Sequence, residues 1–143
     1  MKGNWHFIRR IRYTKTYMKN LKLYAPIVLR YSMALVIIWF GIQQLVNTAD
    51  FMAYVPESAA RITHLDITTL VYINSIFELV FGFLLLIGWK IRIVGVLLAL
   101  HLFDIMYVVG YGEIGVRDFG LAMATLSVAM QGADMFSIDK ATA

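Results

Sequence analysis

The sequence predicts an all-α polytopic membrane protein, a bundle of four transmembrane helices preceded by a basic N-terminal interfacial helix. Three observations carry that expectation. Of 143 residues, 60% are hydrophobic and 15% charged, with a mean hydropathy of +0.70, whereas a soluble domain carries about a quarter charged residues. Apolar stretches long enough to cross a hydrocarbon core of about 30 Å recur at about 26–47, 67–88, 91–110 and 116–132. Lysine and arginine fall on alternate joints between those stretches, the pattern that orients a membrane protein.

Residues 1–22 form a basic amphipathic segment, and residues 23–143 form the helical membrane domain. Lys2, Arg9, Arg10, Arg12, Lys15, Lys19 and Lys22 all precede the first span. The net charge of +4 is concentrated there, beside an apolar span, so it speaks for membrane orientation and against a nucleic-acid partner. The segment has no apolar core or small-residue cleavage site and is not read as a cleavable signal peptide. Trp5, Ile8, Ile11, Tyr17, Met18 and Leu21 are expected to lie against lipid, with the basic residues toward headgroups. Cysteine is absent, which removes disulfides, thiol redox chemistry and thiolate metal sites.

The spans follow in order. In the first, Arg30, Ala34, Ile37, Gly41, Gln44 and Thr48 recur at steps of three and four and share one helix face. The second, Ile67 to Gly88, contains one charged residue, Glu78, with Asn74, Ser75 and Gly82 beside it. The third carries His101 and Asp104, three residues apart. The fourth opens with Arg117 and Asp118 and is expected to present Arg117, Gly120, Ala124, Ser127 and Gln131 inward. Small residues on such faces let helices approach closely in lipid, and polar ones bond across the seam. Lys90, Arg92 and Lys140 fall on the same side as the leader, whereas the other side holds only Arg61 and the helix-edge Arg117 against Asp50, Glu57, Asp66, Glu113 and Asp118. Both termini are therefore expected in the cytoplasm.

Glu78 is the leading candidate functional residue. An ionisable group near the bilayer midplane costs about 3 kcal/mol or more unless paired, protonated or wetted. At about 1.5 Å per residue, Glu78 lies roughly 16 Å from the start of its span and His101 about 15 Å from the start of the next, which runs the opposite way. The two sit at matching depth and form a candidate proton relay. Asp104 is higher and is expected to pair with Arg117. Arg30 lies one turn inside the opposite edge. Arg30, Gln44, Asp104, Arg117 and Asp118 are the candidate ligand-binding residues.

Two readings of this constellation stand side by side: charges paired to fix helix register, or a site that holds a polar headgroup such as a quinone carbonyl or relays protons. Bis-histidine haem ligation would need a second histidine in a span, and His6 and His64 lie outside. Trp39, Phe40, Tyr72, Phe77, Phe81, Phe83 and Phe103 are expected mainly to pack or face lipid, and Tyr54, Trp89, Tyr107 and Tyr111 to sit at the interfaces. The glycine-rich turn Val109 to Gly115 lacks a lysine and a preceding strand, so it is not a phosphate loop.

The order of these features resembles the DoxX family of small four-helix bacterial and archaeal membrane proteins. The resemblance rests on Arg30 followed by Trp39-Phe40-Gly41, on Phe77-Glu78 with Gly82 and the Leu84-Leu85-Leu86-Ile87-Gly88 ending, on Arg117-Asp118-Phe119-Gly120-Leu121, and on Ser137-Ile138-Asp139. It covers about residues 27–140 and leaves the leader outside. Gln44 stands where the family often has a lysine. The resemblance implies the cytoplasmic (inner) membrane and a subunit of a quinone-linked oxidoreductase or oxidative-stress system. It further implies Glu78 as proton acceptor or quinone partner, and Arg117 with Asp118 as the group that orients a headgroup or docks a partner. Quinone is the only cofactor it suggests; a soluble or membrane oxidoreductase partner and a homo-oligomer are both open. A proton or small-solute transporter and a non-catalytic assembly subunit are the alternatives.

Overall fold

Hydrocarbon offers backbone N–H and C=O groups no partner, so a chain this apolar must satisfy them within its own segments, as helices do. The computed structural model describes the backbone of residues 5–142 and the side chains of residues 21–142, and every element it describes is helical. The order is α1 (Trp5–Val46), α2 (Thr48–Met52), α3 (Glu57–Thr63), α4 (Ile67–Ile87), α5 (Ile91–Val109), α6 (Glu113–Gln131) and α7 (Ile138–Ala141). Three segments are long and apolar enough to cross a membrane: Leu21–Val46, Ile67–Ile87 and Ile91–Val109. The fourth long helix, α6, falls short of them because Glu113, Arg117 and Asp118 crowd its first two turns.

The leader does not fold as a separate element. Its backbone continues from Trp5 into α1 without a break, and Pro26 lies inside that helix. The side chains of Trp5, Ile8, Ile11, Tyr17 and Met18, expected against lipid, lie outside the described ones. Helix α4 begins where Asp66 caps it, accepting the Thr69 hydroxyl at 2.6 Å and the Thr69 N–H at 3.0 Å. Those two bonds, the hydroxyl first, hold the Asp66 carboxyl below the usual carboxylate range.

Helix α1 packs along α4 and α5 along α6, and the two pairs meet at α1–α6 and α4–α5. The buried faces explain the pairing. On α1 the buried residues include Arg30, Ala34, Ile37, Gly41 and Gln44, the predicted face, and on α4 they are Val71, Ser75, Glu78, Gly82 and Leu85. Outward stand Val28, Leu35, Ile76, Phe83 and Leu100, an apolar exterior suited to lipid. On α6 the structure corrects the expected face. Gly115, Asp118, Ala122, Thr125 and Ala129 are buried, whereas Arg117, Gly120 and Gln131 are exposed. Both stripes repeat at helical spacing and both are small or polar; the inward one carries the alanines that let α5 come close.

Two glycines set the seams. A Cβ on Gly41 would stand 2.9 Å from Leu79 Cγ and 3.1 Å from the Ser75 carbonyl oxygen, and the Ser75 hydroxyl donates to the Gly41 carbonyl at 2.7 Å. A Cβ on Gly95 would stand 2.9 Å from Ala129 Cβ and 3.2 Å from its Cα. The second contact leaves nothing flexible to yield. Gly95→Leu is therefore expected to destabilise the bundle by about 1–3 kcal/mol through forced separation of α5 and α6. A thermal unfolding series in detergent checks this, and an unchanged midpoint would mean the seam is loose.

Candidate functional site

Glu78 projects from the buried face of α4 at 3% exposure. Its carboxylate is met from α1, where Gln44 Nε2 donates to Oε2 at 2.7 Å. One turn back on its own helix, Asn74 Nδ2 donates to Oε1 at 3.2 Å and to Gln44 Oε1 at 2.7 Å. Two amides thus fix one carboxylate, and each also orients the other. From α5, His101 Nε2 stands 3.5 Å from Glu78 Oε1, with its ring packed on Phe77 at a centroid distance of 4.5 Å. That separation is longer than a formed hydrogen bond. His101 Nε2 is the one buried side-chain polar atom among the described residues that has no hydrogen-bond partner. The imidazole and the carboxylate therefore stand one small shift away from sharing a proton.

A cleft of about 500 Å³ reaches this cluster. It opens at the end of the bundle that carries α2, α3 and the α5–α6 joint, and it runs inward between all four long helices to Glu78, Gln44 and Asn74. Trp39 and Phe40 form part of its wall, and Tyr54, Val55 and Pro56 border it from the α2–α3 segment. The other aromatic residues serve elsewhere. Tyr72 and Phe83 face outward, and Phe77, Phe81 and Phe103 pack against the core.

The expected Asp104–Arg117 pair does not form. Arg117 Nε donates to Asp118 Oδ1 at 2.8 Å, and its guanidinium lies 4.6 Å from the centroid of Phe40 on α1. Helix α6 is rotated so that Arg117 points toward α1 and away from Asp104 on α5. Asp104 is exposed, lines the cleft, and has no ion pair or side-chain hydrogen bond among the described residues. Asp118 also lines the cleft, at 3% exposure.

Arg30 belongs to a different network at the other end. It is fully buried and makes five hydrogen bonds: Nε to Asp134 Oδ2 at 2.6 Å, Nη2 to Asp134 Oδ1 at 3.2 Å and to the Phe136 carbonyl, and Nη1 to the Leu85 and Leu86 carbonyls. A guanidinium has five N–H groups, so nothing is left for a ligand. Asp139 completes this clasp by accepting the N–H of Lys90 at 2.7 Å and of Ile91 at 2.8 Å, which caps α5 from the tail. The structure thus gathers Glu78, His101 and Gln44, lines the same cleft with Asp104, Arg117 and Asp118, and places Arg30 apart. Asn74 was visible only as one of a row of small and polar residues. Asp134 had a signal that went unread: a buried arginine requires a carboxylate at its own end, and the tail supplies one.

The order Arg30, Trp39-Phe40-Gly41, Phe77-Glu78 and Gly82 is now a set of buried or cleft-lining positions on α1 and α4. The DoxX family model matches residues 7–111. The chain belongs to the DoxX family. That match takes in most of the basic leader, which the resemblance left outside, and it ends before α6, so Arg117, Asp118 and the tail residues of the clasp, Asp134 and Asp139, lie beyond it. Comparisons with curated proteins and with solved structures gave no match. Membership and the three apolar helices make this a multi-pass membrane protein.

Removing one partner of a buried ion pair leaves the other charge uncompensated, at about 3–5 kcal/mol. Asp134→Ala is expected to lower the unfolding midpoint steeply, and Arg30→Met combined with Asp134→Leu to recover most of the loss. Unfolding curves of the two variants in one detergent provide the check; equal destabilisation by the single and the double change would sink the pairing argument.

Proposed function

We propose that this DoxX-family protein is the membrane subunit of a quinone-linked oxidoreductase, and that the cleft above Glu78 receives the quinone headgroup. The observation that carries the reading is the cleft itself: about 500 Å³, within the range of small-molecule sites, with apolar walls and few convergent polar groups. The residues fit the group. A quinone headgroup is a flat, apolar ring with polar atoms at its edge, and Trp39, Phe40, Leu102 and Leu121 offer apolar surface while Glu78, Gln44 and Arg117 offer polar contacts.

A quinone when bound supplies a carrier of two electrons and two protons. The chain contributes the rest. Glu78, held by Gln44 and Asn74, would accept a proton from the O–H of the reduced, hydroquinone form and lies beside His101 Nε2, to which it could pass it. Trp39 and Phe40 with the α2–α3 segment limit water at the mouth. Any electron transfer to or from a bound quinone would need a partner subunit, because the sequence carries no redox cofactor motif of its own.

In this reading α6 is the fourth span, its first two turns at the interface where Arg117 snorkels, and both termini are cytoplasmic. The tail clasp supports a one-sided pocket over a through-going path. Arg30, Asp134 and Asp139 tie α1, the α4–α5 joint and the tail together at the end away from the cleft. A proton or solute transporter would need that end to open.

The test is extraction. Protein purified from its native membrane in mild detergent should carry quinone in near-equimolar amount, and Leu121→Trp, which fills the cleft wall, should reduce it to background without changing the yield of folded protein. Wild-type protein free of quinone would end the proposal. Proton flux in liposomes abolished by Glu78→Gln would replace it with transport.

A further inference from the structure

Among the buried residues that line the cleft, hydrogen-bonding character is one-sided. The cleft's two most deeply buried polar side chains are both carboxylates, Glu78 and Asp118, each 4% exposed at the side chain and each lining the cavity. A carboxylate offers about four lone-pair positions and no donor when ionised. Glu78 Oε2 accepts one N–H, from Gln44. Asp118 Oδ1 accepts one, from Arg117 Nε, and Asp118 Oδ2 has no hydrogen-bond partner among the described residues. Asp118 is buried and lines the cleft, which leaves that oxygen free to accept there. Asp104 adds a third carboxylate on the α5 wall.

Among the buried lining residues donors are fewer and mostly engaged; Trp39, Gln43, Asn47 and Tyr54 also line the cleft but are half-buried or exposed. Asn74 Nδ2 uses both of its hydrogens, on Gln44 Oε1 and Glu78 Oε1. Gln44 has one amide hydrogen beyond the bond to Glu78. Arg117 stands at the rim, paired with Asp118 and laid over Phe40. A headgroup that only accepts hydrogen bonds would leave the buried carboxylates facing apolar ring atoms. One that donates would pair with them.

We infer that the cleft favours a neutral amphiphile whose headgroup donates hydrogen bonds, so that of a quinone couple it holds the hydroquinone more tightly than the quinone. The inference rests on the cleft being a quinone site and adds which member of the couple it is shaped for. An anionic headgroup is disfavoured by charge, since four carboxylates, Asp50, Glu78, Asp104 and Asp118, line the cleft against the single guanidinium of Arg117. Glu78 and Asp118 are then the specificity-determining residues, Glu78 at the deep end and Asp118 nearer the mouth.

Two probe pairs separate this from simple apolar binding. The first is an alkyl hydroquinone against the matching benzoquinone; the second, free of redox chemistry, is an alkylphenol against its methyl ether. Dissociation constants are measured on the full-length protein in detergent under matched reducing or oxidising buffer. In each pair the donor form should bind about tenfold tighter or more, because a site built to receive an O–H rejects the analogue that lacks one. Glu78→Gln and Asp118→Asn, which replace an acceptor-only group with one that also donates, should shrink that ratio while both forms still bind. Equal or reversed affinity within both wild-type pairs overturns donor selection and leaves the quinone site standing. A ratio unchanged in both variants overturns the assignment to Glu78 and Asp118. No binding of any probe overturns the quinone site as well.

Discussion

A polar group inside an apolar bundle must find its partner within the protein, and the whole arrangement depends on how that demand is met. The exterior is apolar by composition, so polar side chains have no lipid-facing alternative. They collect inward, and they collect in two places. Near the tail, Arg30 is fully buried and bonded to Asp134 and three backbone carbonyls. Deep in the middle, Glu78 is held by Gln44 and Asn74 with His101 beside it. Each network draws on helices from different parts of the chain, so each also fixes how those helices sit.

The two networks divide the molecule into a closed end and an open one. Asp139 caps α5 from the tail, its N–H donates to the Gly88 carbonyl, and Arg30 reaches the last carbonyls of α4. Four chain segments are thereby tied at a single end, where helix termini would otherwise leave N–H and C=O groups unpaired. At the other end the α2–α3 segment packs on α4 and α1 and has no side-chain cap at either of its helices. The cleft forms there, where backbone is less firmly tied and the four long helices diverge around Glu78.

Much of this was legible in the sequence because lipid imposes simple rules. Length and hydropathy placed α4 and α5 within one residue of their observed ends, and the steps of three and four on the first span named its buried face. The matched depth of Glu78 and His101 followed from counting residues along antiparallel helices. The rules fail where two answers satisfy them equally. On α6 two stripes of small and polar residues differ only by rotation, and the pattern does not say which faces α5; the close approach at Gly95 and Ala129 decides it. The Asp104–Arg117 pair was inferred from height alone, without that rotation. Arg30 was read as a ligand group because its partner sits in the short tail, which hydropathy treats as an afterthought. The leader's separate identity rested on charge, and charge does not interrupt a helix.

The contrast between the two networks bears on whether an intramembrane charge is structural. In the Arg30 clasp every donor is matched by an acceptor and no space adjoins the group, the condition of a network whose whole effect is to hold register. Around Glu78 the match is incomplete. His101 Nε2 lacks a partner, Asp118 keeps an unused oxygen, and the Glu78 and Asp118 carboxylates border open volume. Hydrogen-bonding capacity that borders an open cleft is available to water or to a ligand, whereas capacity sealed in a low-dielectric interior must be matched within the protein. Burial and charge are common to both networks, so neither distinguishes them. Residual valence next to space does; by that criterion Arg30 belongs with the scaffold, and Glu78 is the residue on which the proposed site rests.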